Sequence, residues 1–346
     1  MINKFTLKTF ITLCIISLIL TSCGAPAPKE VTRQSFMLDT IITLKYYGKN
    51  ADAAETESIN RLNEIDKKMS TFKPSSEISK INDNAGGSPV KVSSDTFFVI
   101  QRATQISKTD QGGFDISIGP LVNLWGIGTN HQKVPTKTEI DKAKKLVNYN
   151  DIILDKTNST VKLKLKGQAL DLGGIAKGYA ADQLKAICLK HNITSAFLSL
   201  GGNVYAIGNN TNGTAWRIGI QDPLKDIGQY LGIITVTDKS VVTAGNYQRF
   251  FIKNGVRYHH LIDPSTGYPA QKGIISATII SSTSINCDAL SNTTYILGVD
   301  KAIKLINSMN GVEAIFITSD KKVYVTNGLK DNFQLTNKEY NYEKGR

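Results

Sequence analysis

The chain has 346 residues, 41 % of them hydrophobic and 20 % charged, with a formal net charge of +12 and four cysteines. That apolar content supplies a large core and excludes a disordered chain, while so few cysteines exclude a disulfide framework. The basic excess is dispersed in stretches such as "LKLKLK" and "DKAKK", which reads as a solvated, weakly cationic surface with at most weak attraction to anionic lipid headgroups; the exported location expected below argues against nucleic acid.

At the N-terminus, Lys4 and Lys8 precede an apolar run from Phe10 to Leu20 that ends in "LTSC". This is the layout of a secretory signal peptide, and the run falls short of the roughly 20 residues that span a bilayer. "LTSC" resembles the lipobox of bacterial lipoproteins. Residues 1–22 are therefore expected to be removed, Cys23 to carry lipid, 23–33 to act as a tether, and the protein to sit outside the cytoplasm, anchored to a membrane. An ordinary signal peptide with an incidental cysteine is the alternative.

Residues 34–335 are expected to form one domain and 336–346 a polar tail. Hydrophobic periodicity predicts a strand over 34–47 and helices over 51–69, 93–109 and 137–146, followed by strands over 151–154 and 160–165. A helix follows Gly173. Short strands are then predicted over 196–199, 204–207, 216–221, 231–237, 240–243, 248–253, 257–262 and 274–281. "NCDALSNTTYILG" and "DKAIKLINSM" read as helices, and 314–318 with 323–326 as a closing hairpin. Such an order predicts an α+β protein, a single compact unit of mainly antiparallel sheets with flanking helices.

The chain contains no Walker A motif, no G-x-G-x-x-G, no H-E-x-x-H, no G-x-S-x-G and no C-x-x-C. It carries instead several glycine-bearing turns between apolar elements. In "DLGGIAKGYAADQL" a glycine pair stands where a strand becomes a helix, with Asp171 before it and Lys177 in the first helical turn. A cation opposes the dipole there, so Lys177 is either a solvated side chain or part of an anion site with free backbone N–H groups. In "GGFDISIGPLVNLWGIG", Phe114, Ile116 and Ile118 suit a core-facing row, which leaves Asp115 on the other face. "YHHLIDPSTGYP" holds adjacent histidines that alternation sends to opposite faces, so at most one serves in proton transfer. "NCDALSN" gathers Asp288, Ser291 and Asn292, oxygen donors that suit either a helix start or a hard cation.

Taken in order, "MSTFKPSSEISKIN", "GGFDISIGPLVNLWGIG", "DLGGIAKGYAADQL", "SLGGNVYAIG", "WRIGIQDP", "SVVTAGNYQRFF", "HHLIDPSTGYP" and "CDALSNTTYILG" resemble the ApbE-type flavin transferases over nearly the whole mature chain. The resemblance implies the ApbE (T-fold-like) fold. It also implies an enzyme that cleaves FAD at its pyrophosphate and transfers FMN to a threonine or serine hydroxyl of an acceptor protein, releasing AMP. The acceptor would be an exported or membrane protein bearing a flavin-attachment motif. By the same resemblance Met37, Phe72, Gly113, Phe114, Asp115, Asp171, Lys177 and Ile262 match positions that contact FAD. Gly174, Asp288, Ser291 and Asn292 match ligands of Mg²⁺, with Ca²⁺ or Mn²⁺ as alternatives. His260 is the candidate base for the incoming hydroxyl and Asp288 its competitor. Asn292 stands where the family usually has threonine, and Phe72 where it often has tyrosine. Two other readings remain: a metal-dependent FAD pyrophosphatase that uses water in place of the hydroxyl, and a non-catalytic flavin-binding lipoprotein. A solute-binding lipoprotein would show repeated βαβ units, which the pattern lacks.

Overall fold

The structure, a computed structural model, describes residues 28–110 and 112–344; the expected signal peptide and Cys23 lie outside them. Strands β1 (Glu30–Met37) and β2 (Thr40–Tyr47) open the fold and are followed by helices α1 (Ala51–Met69) and α2 (Glu77–Asp83). The short β3 (Val90–Lys91) leads to α3 (Ser94–Thr109), α4 (Gly119–Trp125), α5 (Lys137–Lys144), β4 (Ile152–Asp155) and β5 (Thr160–Leu163). Helix α6 (Ala176–Lys190) comes next. A run of strands succeeds it: β6 (Ser195–Leu200), β7 (Asn203–Ile207), β8 (Trp216–Gln221), β9 (Tyr230–Val236), β10 (Lys239–Gly245), β11 (Phe250–Lys253), β12 (Val256–His259) and β13 (Ile274–Ser281). Helices α7 (Ser284–Leu297) and α8 (Val299–Asn307) precede β14 (Glu313–Thr318), β15 (Lys322–Val325), β16 (Phe333–Leu335) and β17 (Asn341–Lys344).

The main sheet has nine strands in the order β1-β2-β6-β7-β10-β13-β14-β15-β17, all antiparallel except the last pair. Alternation assigns its two faces. On one face Ile42, Leu44, Leu198 and Leu200 pack beneath α1 and α6, and Ala277, Ile279 and Phe316 beneath α7 and α8. On the other, Ala206, Val241, Ile280 and Ile315 meet the three-stranded sheet β16-β9-β8. The α+β reading is correct. Helix α1 shows the expected stripe, burying Ala51, Ala54, Ser58, Leu62, Ile65 and Met69. Among the described residues no helix is long and apolar enough to cross a membrane.

Three boundaries differ from expectation. The strand predicted over 34–47 is a hairpin, broken at Leu38 and Asp39, whose φ angles are 52° and 55°; two successive positive φ values give the tight turn that matches strand twist. Its first strand begins at Glu30, inside the stretch expected as tether. The segment 336–346, expected as a polar tail, buries Tyr340 at 4 % exposure and adds β17 beside β15. The Tyr340 hydroxyl donates to Asp222, which explains why so polar a stretch stays docked.

Helices α6 and α7 cross so closely that only glycine fits at position 178. A β-carbon there would lie 2.4 Å from the Ser284 carbonyl oxygen and 2.7 Å from the Ile285 Cα. Alanine ordinarily favours a helix over glycine by about 1 kcal/mol. Gly178→Ala should nevertheless lower stability by about 1–3 kcal/mol, because backbone atoms cannot yield. A lower urea midpoint at unchanged slope would verify this; a midpoint that stays or rises would refute the packing argument.

Candidate active site

The glycine turn is built by its own aspartate. Asp171 Oδ1 accepts the Gly173 N–H at 2.7 Å, and the Leu172 carbonyl accepts from Ile175 and Ala176. Helix α6 then starts without a side-chain cap and without an acidic residue in its first turn. Its free donors are met from another helix: Asp288 Oδ2, on α7, accepts the Gly178 N–H at 2.8 Å. The arrangement is reciprocal. Asp182 on α6 accepts the N–H groups of Ser284 and Ile285 at 2.8 and 2.9 Å, capping the start of α7.

Lys177 lies between the two elements. Its Nζ donates to the Gly173 carbonyl at 2.8 Å and stands 4.0 Å from Asp288 Oδ1. Burial raises the Asp288 carboxyl above the usual carboxylate range, opposed by the Lys177 charge and the helix N–H groups. Asp171 is raised for the same main reason and is held back by Gly173, Lys177 and Arg249.

The oxygen donors singled out in the sequence converge here. Ser291 Oγ and Asn292 Nδ2 both donate to the Asp288 carbonyl, at 2.8 and 2.9 Å, which leaves the Asn292 Oδ1 free to accept. A β-carbon on Gly174 would lie 3.2 Å from the Asn292 amide, so the Gly174 backbone and Asn292 are immediate neighbours. Among the described residues no three His, Cys, Asp or Glu side chains cluster as a metal site. The donor set is one carboxylate with amide, hydroxyl and carbonyl oxygens. That chemistry suits a hard cation such as Mg²⁺ with part of its shell left for phosphate or water, and it does not suit zinc.

His260 lies near enough to feel the Lys177 charge. Its backbone N–H and its Nδ1 both bond the Arg249 carbonyl, at 3.1 and 3.2 Å. A carbonyl only accepts, so Nδ1 carries the proton and the lone pair of Nε2 is available. The residue is half-buried. Burial, with the Arg249 and Lys177 cations, pushes its pKa down to about 3. The neighbouring His259 is buried on the opposite side, with Nε2 donating to the Ala270 carbonyl at 3.0 Å. The alternation expected of the pair is what the chain adopts.

Arg249 escaped notice in the sequence. Its Nη2 donates to the Asp39 carbonyl at 2.9 Å, pinning the β1–β2 turn to the strand that positions His260. The "SLGGN" turn packs there too: a β-carbon on Gly201 (φ +63°) would strike Thr40, and the Gly201 N–H bonds the Ile41 carbonyl. Only a lone arginine at the start of an aromatic strand could have flagged this role.

The remaining candidates are placed unevenly. Phe114 is buried, and its ring edge would lie 3.1 Å from a β-carbon on Gly174. Gly113 lies against Leu297 and Asp110. Asp115 is not on the open face of a strand. It is buried in a turn, where it accepts from Ser117 and Tyr149 N–H groups, so its carboxylate is already occupied. Ile262 is a core residue beside Leu121 and Trp125, leaving its backbone as the group that can face a ligand. Met37 packs at the edge of the core, and Phe72 projects 67 % exposed from the turn after α1.

Residues 38–316 match the profile of the ApbE family. The FAD:protein FMN transferase of Treponema pallidum is 32 % identical over 341 residues, covering 93 % of this chain and 94 % of the relative. That of Klebsiella pneumoniae is 33 % identical over 290 residues, covering 84 % and 90 %. Among solved structures, the ApbE protein of Thermotoga maritima superposes with a TM-score of 0.82 at 32 % identity, covering 88 % of this chain and 99 % of that one. The flavin transferase ApbE from Vibrio cholerae gives 0.80 at 26 % identity, with the same coverage.

Proposed function

This chain belongs to the ApbE family and is an FAD:protein FMN transferase; from that premise we propose that it moves FMN from FAD to a threonine or serine hydroxyl of an exported acceptor protein, releasing AMP, with Mg²⁺ bound. The acceptor oxygen forms a bond to the FMN phosphorus, the P–O bond to AMP breaks, and the hydroxyl proton passes to His260. The observation that carries this reading is the His260 geometry: Nδ1 is anchored on the Arg249 carbonyl and Nε2 is left as an acceptor. Asp288 serves less well as the base, since Oδ2 is committed to Gly178 and Oδ1 faces Lys177.

Asp288, the Asn292 Oδ1, the Ser291 hydroxyl and the Gly174 carbonyl would hold the divalent cation, which when bound neutralises phosphate charge. Lys177, whose ammonium already sits at the start of α6, contributes a charge-assisted bond to the same anion. The apolar run ending at "LTSC" supports attachment through a lipidated Cys23 on the outer side of a membrane.

The full chain incubated with FAD, Mg²⁺ and a candidate exported acceptor should yield AMP and an acceptor heavier by one FMN group, read by chromatography and intact mass. AMP without the mass gain would make the protein an FAD pyrophosphatase. Tight FAD binding with neither product would make it a flavin carrier.

A further inference from the structure

The tip of the β1–β2 hairpin carries an apolar pair that no described residue covers. Phe36 and Ile41 are cross-strand partners on one face, 72 % and 60 % exposed. Large apolar side chains paired in this way in the open signal an interaction surface more often than isolated ones do. The same face is covered at its other end: Tyr47, at the far terminus of β2, packs on Trp216 of the second sheet. That second layer stops before the tip. Phe36 and Ile41 are therefore left out of a core that shields the rest of the strand.

The tip is also tied to the catalytic floor. Two residues from Ile41, the Asp39 carbonyl holds the Arg249 guanidinium, and the Arg249 carbonyl holds His260. Asp39 also bears electrostatically on Asp171. The proposed reaction needs a second macromolecule to deliver its hydroxyl.

We propose that the Phe36–Ile41 pair at the β1–β2 tip is the docking surface for the acceptor protein, taking apolar side chains that flank its flavin-accepting threonine or serine. The proposal rests on the transferase reading above and names the partner of that same site. The turn between the two strands carries the Asp39 carbonyl that Arg249 grips, which puts the pair next in sequence to the link that holds His260. Phe36 and Ile41 lie on the strand face opposite Ile42 and Leu44, and Phe36 is followed by Met37, so FAD affinity is read beside the acceptor KM to separate the two effects.

The test uses the full chain and an acceptor protein that the wild-type chain labels with FMN. In Phe36→Ser/Ile41→Thr the KM for the acceptor should rise about tenfold or more, as expected when the apolar anchors of an interface are removed. FAD affinity, the thermal midpoint and kcat at saturating acceptor should stay within about twofold of wild type. Phe36→Leu/Ile41→Val, which keeps the apolar surface, should restore the acceptor KM. An unchanged acceptor KM in the serine/threonine variant overturns the proposal. So does loss of a dimer in sedimentation at constant KM, which would assign the pair to a second copy of the chain, or loss of vesicle binding at constant KM, which would assign it to lipid. If the wild-type chain labels no acceptor, the transferase reading itself fails, a result distinct from any of these.

Discussion

Asp288→Asn should abolish FMN transfer while leaving the protein folded and able to bind FAD. The asparagine oxygen can still accept the Gly178 N–H that Asp288 receives at 2.8 Å, so the start of α6 stays capped. What disappears is the only negative charge in the Gly174–Ser291–Asn292 donor set. Charge neutralisation at a transferring phosphoryl group is worth several kcal/mol, so turnover should fall by about 10³-fold or more. FAD affinity should change far less, because the flavin and adenine rings draw on other surfaces. AMP release followed across a magnesium titration, beside flavin fluorescence and a melting curve, checks all three. Wild-type transfer at low magnesium in this variant would reduce Asp288 to a helix cap.

The second large effect belongs to His260. Replacing it with alanine removes the Nε2 acceptor, and loss of a general base typically costs about 10²–10⁴-fold in rate. The backbone N–H of residue 260 keeps its bond to the Arg249 carbonyl, so the strand should remain in place. The pH profile separates a base from a structural imidazole. Burial and nearby cations lower the His260 pKa to about 3, so the ring is neutral and ready to accept a proton throughout the range above roughly pH 4. Wild-type kcat/KM should therefore show no imidazole limb between about pH 5 and 7. The deficit of the alanine variant should shrink as pH rises and the hydroxyl deprotonates more easily. A wild-type limb near 6.5, or a deficit independent of pH, would count against the assignment.

Hydrophobic period made much of the scaffold legible. Helix α1 and strands β8 and β13 have the bounds that alternation or a helical stripe predicts. The hairpin turn at Leu38–Asp39 was not legible, because Leu38 is a poor turn-former, no glycine follows Asp39, and the turn is held from outside by Arg249 and Gly201. Asp115 was misread for a related reason: an alternating apolar row looked like a strand, whereas the chain turns there and closes on Ser117 and Tyr149. The short helices α2 and α4 offer too few turns for a periodic signal. At the candidate site, residue types pointed to a hard cation and an anion. Their meeting depends on Gly178 letting α7 lie against α6, a contact across 110 positions that no local pattern encodes.

The reciprocal carboxylates of that contact also govern how the cleft opens. Helix ends are ordinarily the first parts of a fold to fray, each on its own. Here the first turn of α6 is closed by Asp288 of α7, and the first turn of α7 by Asp182 of α6. Each cap comes from the second turn of the partner helix, so separating the two helices uncaps both ends together. If this wall meets the dinucleotide as proposed, its caps are in place before any ligand arrives, and the entropy of arranging them is lost during folding rather than during binding.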